Sequence, residues 1–152
     1  MDQLAYSVAT EADIPFIRDT YNENIDSLHG AVRSEADWKA QLSRQDCVHY
    51  VVHKKTPVGW FRMDIEDGQV FLGMLQISPA YQRRGIGKWV VSAAEALAKA
   101  QGFGSITIHT TEDNLSARAL YLSCGYALTE IGPCTTADGM DRVGYTFQKV
   151  LK

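Results

Sequence analysis

The residues best placed to do chemistry in this 152-residue chain are Gln82, Arg83, Arg84, Gly85, Ile86, Gly87 and Lys88. Gly85 and Gly87 allow backbone N–H groups to approach a ligand with no Cβ in the way. A helix beginning here has first-turn N–H groups without intrahelical partners, and its dipole favours negative charge at that end. A phosphate is the natural occupant of such a turn. Arg83, Arg84 and Lys88 add three cations within six residues, in a chain whose net charge is -3. The same segment would also serve as a solvated basic turn whose glycines assist packing. It lacks both the Gly-Lys-Ser/Thr ending of a nucleoside-triphosphate loop and the Gly-x-Gly-x-x-Gly spacing of a dinucleotide fold.

A second group lies further on. Asn114, Ala117 and Tyr121 are spaced by three and four residues and share one helix stripe. Small Ala117 lets something approach that helix, with polar groups on either side. Alone, the group also reads as a helix cap at Asn114 and a core aromatic at Tyr121.

Elements that must hold these groups follow from periodicity and punctuation. Residues 4–8 form a strand, followed by a helix starting at Thr10 or Asp13 whose core face is Ile14, Ile17, Tyr21 and Ile25. Ser34 caps a second helix, with Asp37 completing a capping box and Trp38 and Leu42 inward. Strands are expected over 47–53, 58–65 and 69–77, joined by a turn at Lys54-Lys55-Thr56-Pro57 and a tight hairpin at Glu66-Asp67-Gly68. The long helix after Gly85 presents Ile86, Trp89, Val90, Ala93, Ala94 and Leu97, and Gly102 stops it. A strand over 105–110 precedes the helix of Asn114, which Gly125 ends. Strands over 126–131 and 142–150 close the chain, with 134–141 as their loop. The segment 70–108 is strand–helix–strand, hence a parallel pair with a right-handed crossover. The expected fold class is α/β (α+β): a mixed, mostly antiparallel sheet of about seven strands with helices on both faces.

Composition narrows the function. Hydrophobic content of 45% and charged content of 22% suit a globular chain of one domain, spanning 1–152. Net charge -3 argues against a nucleic-acid partner, which would need a basic face. No run of 18 apolar residues offers a membrane span, and the first residues show no secretory pattern. Three widely spaced cysteines fit free thiols in a cytoplasmic protein. No Cys-x-x-Cys spacing supports a metal site, and none is expected.

The pattern Gln82-x-x-Gly85-x-Gly87, preceded by Ile77-Ser78-Pro79, resembles the signature of the GNAT superfamily of acetyl-CoA-dependent N-acetyltransferases. The pattern Asn114-x-x-Ala117-x-x-x-Tyr121 followed by Gly125-Tyr126 is similar to that family's second characteristic region. With the order of elements, the resemblance covers nearly the whole chain and implies a GNAT-like fold. It further implies that Gln82, Arg83, Arg84, Gly85, Ile86, Gly87 and Lys88 bind the pyrophosphate of coenzyme A. Asn114 and Ala117 would flank the pantetheine arm, and Leu75, Gln76 and Ile77 would pair with its amides and supply an N–H to the developing oxyanion. Tyr121 would meet the cofactor at the thioester sulfur and protonate the departing thiolate.

Direct attack requires a neutral amine, and a lysine-like amine has a pKa of about 10, so a base is expected. The strand over 70–77 carries no Glu or Asp, so a carboxylate base used there by some members is absent. Asp64, Glu66, His109, Glu112 and Asp113 are the candidates, with His109 first because its intrinsic pKa lies near neutrality. The resemblance places the acceptor pocket near 21–31 and 134–141. Glu23, Asp26, Asp64 and Glu66 could attract a cationic amine there, or be ordinary surface charge. The expected acceptor is a small-molecule amine. The alternatives are a protein Lys or N-terminal amine, and a non-catalytic acyl-CoA-binding sensor domain. A homodimer is implied by the family alone.

Overall fold

The computed structural model describes residues 3–152. The expected element order is present, with five helices rather than four. In chain order these are β1 (Ala5–Val8), α1 (Ile14–Glu23), α2 (Ile25–Leu28), α3 (Glu35–Leu42), β2 (Cys47–Lys54), β3 (Thr56–Glu66), β4 (Gln69–Ile77), α4 (Ile86–Ala100), β5 (Ser105–Thr111), α5 (Leu115–Ser123), β6 (Ala127–Thr135) and β7 (Asp141–Val150). The strands form one seven-stranded sheet in the order β1-β2-β3-β4-β5-β7-β6. Only β4 and β5 are parallel; the other pairs are antiparallel.

Helices cover both faces. On one, Ile86, Val90, Val91, Ala94 and Ala98 of α4 pack with Tyr121 of α5 on Val70, Leu72, Ile106 and Ile108. On the other, Ile14, Ile17 and Tyr21 of α1 pack with Trp38 of α3 on Val51 and Trp60. The Ser34–Asp37 capping box starts α3. After α4, Gly102 (φ +90°) lets its own N–H reach Lys99 O at 3.0 Å and Phe103 N–H reach Ala98 O at 3.0 Å. That is the Schellman stop expected of a glycine there.

Three regions differ from the reading above. The first long helix breaks at Asn24, so Ile25 lies in the separate α2. The β2–β3 turn is tighter than expected and centres on Lys55 (φ +69°), with Thr56 and Pro57 already inside β3 opposite Lys54 and His53. Pro57 is tolerated because it sits beside the bulge between Val52 and His53, where the β2–β3 ladder is already interrupted. At the C-terminal end, Pro133, Cys134 and Thr135 continue β6 opposite Val143, Arg142 and Asp141, so the loop begins at Thr136. Pro133 is accepted because β6 is an edge strand.

The feature that makes the site is a bulge. In the β3–β4 ladder Met63 faces Leu72 and Arg62 faces Met74, leaving Gly73 unopposed. A bulge bends and twists the strand that carries it. It also shifts the alternation, so Val70 and Leu72, then Leu75 and Ile77, pack toward α4. β4 and β5 pair at Phe71 and Thr107, and no pair follows toward Ile77 among the described residues. The sheet is therefore split between these two strands.

Candidate active site

A cavity of about 590 Å³ fills the split. One wall is Leu72, Gly73, Met74, Leu75 and Gln76 of β4; the facing wall is His109, Thr110 and Thr111 of β5. The register shows which backbone groups face it. Ser78 N–H donates to Val58 O at 2.9 Å, and Trp60 opposes Gln76. In an antiparallel ladder alternate pairs exchange bonds, so Gln76 turns its N–H and C=O to β3 while Leu75 and Ile77 turn theirs to the gap. The Ile77 carbonyl is taken by Asn24 Nδ2 (3.1 Å) and Gln82 Nε2 (2.9 Å). Asn24 Nδ2 also donates to buried Gln76 Oε1 at 3.1 Å, and Gln82 Nε2 to Asn24 Oδ1 at 3.3 Å. Gln82 and Gln76 thus use their side chains to fix the exit of β4, and Leu75 keeps its backbone edge free.

Beyond that exit the chain makes the basic turn. Arg83 (φ +63°) and Gly85 (φ +82°) are left-handed, and a Cβ at Gly85 would meet nothing within 4 Å. Gly87 has a different role: a Cβ there would lie 3.2 Å from Leu120 Cδ2, so its smallness lets α4 approach α5. No protein acceptor takes the N–H groups of residues 83–88 among the described residues. Arg83, Arg84 and Lys88 are exposed and have no carboxylate partner there, while Arg84 leans over the Tyr81 ring at 5.6 Å. Unpaired amides, unpaired cations and open space at Gly85 fit a diphosphate. Ile77 and residues 82–88 lie outside the cavity lining, beyond its β4 end.

Asn114, Ala117 and Tyr121 of α5 do line the cavity. Asn114 is also the helix cap, its Oδ1 accepting from Ala117 N–H at 3.2 Å, which leaves its amide nitrogen for a ligand. Tyr121 is 7% exposed, and its ring is set by Tyr126 and Phe147 at 6.2 and 5.9 Å. Its hydroxyl has no hydrogen-bond partner among the described residues. Burial, with nearby Cys124 adding a little, pushes its pKa up to about 12. It therefore holds its proton throughout the neutral range, as a proton donor must.

Of the five base candidates, only His109 lines the cavity. Its Nδ1 meets Thr146 Oγ1 at 3.0 Å and its ring stacks on Phe71 at 5.4 Å, leaving Nε2 unengaged. Asp64 is committed to Arg62 through two bonds of 2.6 and 2.8 Å, and Asp113 to His29 at 2.7 Å. Glu66 and Glu112 lie off the cavity. The reading of the sequence missed Glu130, which lines the cavity from β6 opposite Thr146. No local signal marks it, because its position depends on the bulge between Leu128 and Glu130. Arg33 was missed likewise, while Asn24 lies within the expected 21–31 stretch but off the cavity, holding the exit of β4.

The end of the cavity expected to take the acceptor is lined by Tyr21, Ser27, Leu28, Gly30 and Arg33 from one side, and by Cys134, Thr136 and Ala137 from the other. These walls are tied together: Asp138 N–H donates to His29 O at 3.1 Å, and His29 Nε2 meets Asp113 Oδ2. Glu23, Asp26, Asp64 and Glu66 do not line the cavity. His49 and His53 stand four apart, but on strand β2 that separates them by roughly 13 Å, too far to share an ion. No group of three metal-ligating side chains occurs among the described residues.

Comparisons with known proteins place this arrangement. A model of the acetyltransferase (GNAT) family matches residues 14–126. A Bacillus subtilis (strain 168) protein assigned as an acetyltransferase is 30% identical over 111 residues, which are 72% of this chain and 63% of that protein. The chain thus spans somewhat less than two thirds of that relative's length. Among solved structures, the spermidine N-acetyltransferase of Vibrio cholerae, determined with CoA and spermine, superposes with a TM-score of 0.84 at 18% identity, covering 98% of this chain and 96% of that one. The ribosomal-protein-S18-alanine N-acetyltransferase of Escherichia coli gives 0.75 at 17% identity, covering 99% and 95%. These two likenesses show a shared fold. The family match spans most of the chain, both motifs and the split sheet: this protein belongs to the acetyltransferase (GNAT) family, a family of acetyl-CoA-dependent acyl-transferring enzymes.

Proposed function

We propose that this protein is an N-acetyltransferase that moves the acetyl group of acetyl-CoA to the primary amine of a small molecule by direct attack. The observation that carries the reading is the split between β4 and β5, with the free backbone edge of Leu75 facing buried, protonated Tyr121 across one cavity. When bound, the cofactor supplies an activated acetyl thioester. The amides of residues 83–88, with Arg83, Arg84 and Lys88, hold its diphosphate; Leu75, Asn114 and Ala117 hold its arm. The Leu75 N–H donates to the carbonyl oxygen as negative charge grows there. Tyr121 gives its proton to the sulfur as the carbon–sulfur bond breaks. His109, oriented by Thr146 and Phe71, takes the proton that the amine must lose.

The tie between His29 and Asp138 supports a small acceptor, because it joins the two walls that an extended peptide would have to pass between. Of the two solved neighbours, the spermidine enzyme is therefore the nearer guide to acceptor size, and the ribosomal-protein enzyme the farther. The three free cysteines suit a reducing cytoplasm. No helix among the described residues is long and apolar enough to cross a membrane. We also propose a homodimer, with the exposed edge strand β6 and its exposed Leu128 and Ile131 as the contact.

A thiol-release assay with acetyl-CoA and a panel of amines tests the reading, together with thermal unfolding in the presence of acetyl-CoA. Binding to the folded state must raise the melting temperature. No shift at millimolar cofactor removes the reading entirely; a shift without thiol release on any amine favours a non-catalytic sensor.

A further inference from the structure

Among the described residues Arg33 is the one cation lining the cavity, apart from the titratable His109. It is half-buried and enters no ion pair or hydrogen bond among the described residues, and its Nη1 is buried without a partner. The guanidinium is nevertheless firmly held. It lies over the Tyr21 ring at 4.8 Å and the Trp38 ring at 5.0 Å. Tyr21 is itself pinned, its hydroxyl donating to Ala31 O at 3.0 Å, and Gly30 packs so closely that a Cβ there would overlap the Tyr21 hydroxyl. Ser34, the next residue, is fixed as the cap of α3.

Stacking satisfies the faces of a guanidinium and leaves its in-plane N–H fork unmet. A partly buried, uncompensated cation is costly, and a carboxylate is the shape that fork receives in two parallel bonds. The neighbouring charges do not supply one. Arg62 is close enough to disfavour the charge on Arg33, and Asp64 is already spent on Arg62. Asp37 attracts Arg33 only at long range, its carboxylate being bound to Ser34 N–H. Among the described residues the only carboxylate lining the cavity is Glu130, on the opposite wall. A cavity with one cation on one wall and one carboxylate on the other has no acidic surplus for a polyamine.

We propose that the acceptor is a zwitterion of the amino-acid type, whose carboxylate is received by Arg33 while its amine is acetylated. The proposal rests on the transferase reading and adds the acceptor class to it.

The test is thiol release from acetyl-CoA by the full chain with free L-amino acids, each paired with its own amide and its decarboxylated amine. The expected result is that kcat/KM for at least one free amino acid exceeds both partners by about tenfold or more. Arg33→Met, which keeps the stem against Tyr21 and Trp38, should bring that ratio to near one, and Arg33→Lys should restore part of it. A ratio that survives Arg33→Met, or turnover of plain amines and polyamines with no preference for the acid, overturns the proposal. Should Arg33→Met fail to fold, the wild-type ratio and the lysine variant decide. Titration calorimetry separates the two levels of inference. Failure of coenzyme A to bind sinks the transferase reading. Coenzyme A bound without discrimination between amino acid and amide, in binding as in turnover, sinks only the role of Arg33.

Discussion

The two ends of the cavity are built on different principles. The end assigned to the cofactor works through main chain: the free edge of Leu75 and the unpaired amides of residues 83–88. Its supporting core mixes aliphatic side chains with Tyr50, Phe61, Tyr121, Tyr126 and Phe147, and Glu95 there accepts from both the Tyr126 hydroxyl and Lys149 Nζ at 3.0 Å. The acceptor end works through side chains. Beneath it Tyr21, Trp38, Trp60 and His49 stack edge and face, and this side of the sheet holds every buried unpartnered side-chain atom found: Arg33 Nη1, Trp38 Nε1, Gln41 Oε1, His49 Nε2 and Trp60 Nε1. Each such group costs about 1–3 kcal/mol. On the proposed reading, one end grips the cofactor of the family through main chain, and the other carries the unmet side-chain groups that can select an acceptor.

Tyr121 stands where the two ends meet, and its removal is the strongest test of that division. Tyr121→Phe keeps the packing and deletes the proton, so turnover should fall about 100- to 10,000-fold. Cofactor affinity measured by calorimetry should change little. Equal losses in both would show that the hydroxyl belongs to the grip and not to the chemistry.

The next effect belongs to the acceptor side alone. Burial first, then the charges of Arg62, Arg33 and Arg44, lower the His49 pKa from its ordinary value of 6.5 to about 4. Between those values the unfolded chain binds a proton that the fold refuses, so stability should be full above pH 6.5 and decline as pH falls toward 4. The loss should total roughly 3 kcal/mol. Denaturant unfolding across that range, compared with His49→Phe, checks it; a variant with the same slope would clear His49 of the effect.

A smaller change should strike the cofactor end only. Gly85→Ala forces a side chain into a left-handed conformation at about 1–2 kcal/mol, which should weaken coenzyme A binding roughly tenfold through a distorted turn. Gly87→Ala should act instead through packing on Leu120 and show first in thermal stability. Identical profiles for the two would erase the distinction between them.

The remaining effect is at the joint. Asn24→Ala removes the donor to Gln76 and Ile77, leaving Gln76 buried without that bond, and should cost about 1–3 kcal/mol in stability. Because the exit of β4 then loosens, the Michaelis constant for acetyl-CoA should rise more than that for the amine. The reverse order would assign Asn24 to the acceptor end.

The amino-acid order determined what depends on neighbours in the chain. Helix caps at Ser34 and Asn114, the stops at Gly102 and Gly125, the hairpin at Asp67-Gly68 and the seven strands are local or periodic features, set by a few residues each. The cofactor turn is legible for the same reason, since main-chain recognition needs only glycines and cations in one short run. Tertiary structure alone decided that a bulge at Gly73 splits the sheet, that Gly87 packs on Leu120, that Asn24 ties the exit of β4, and that Arg33 and Glu130 come to the cavity from segments far apart in the chain. Side-chain sites assembled across the fold leave no spacing to read, because the distances that matter are set by register and packing rather than by position in the chain.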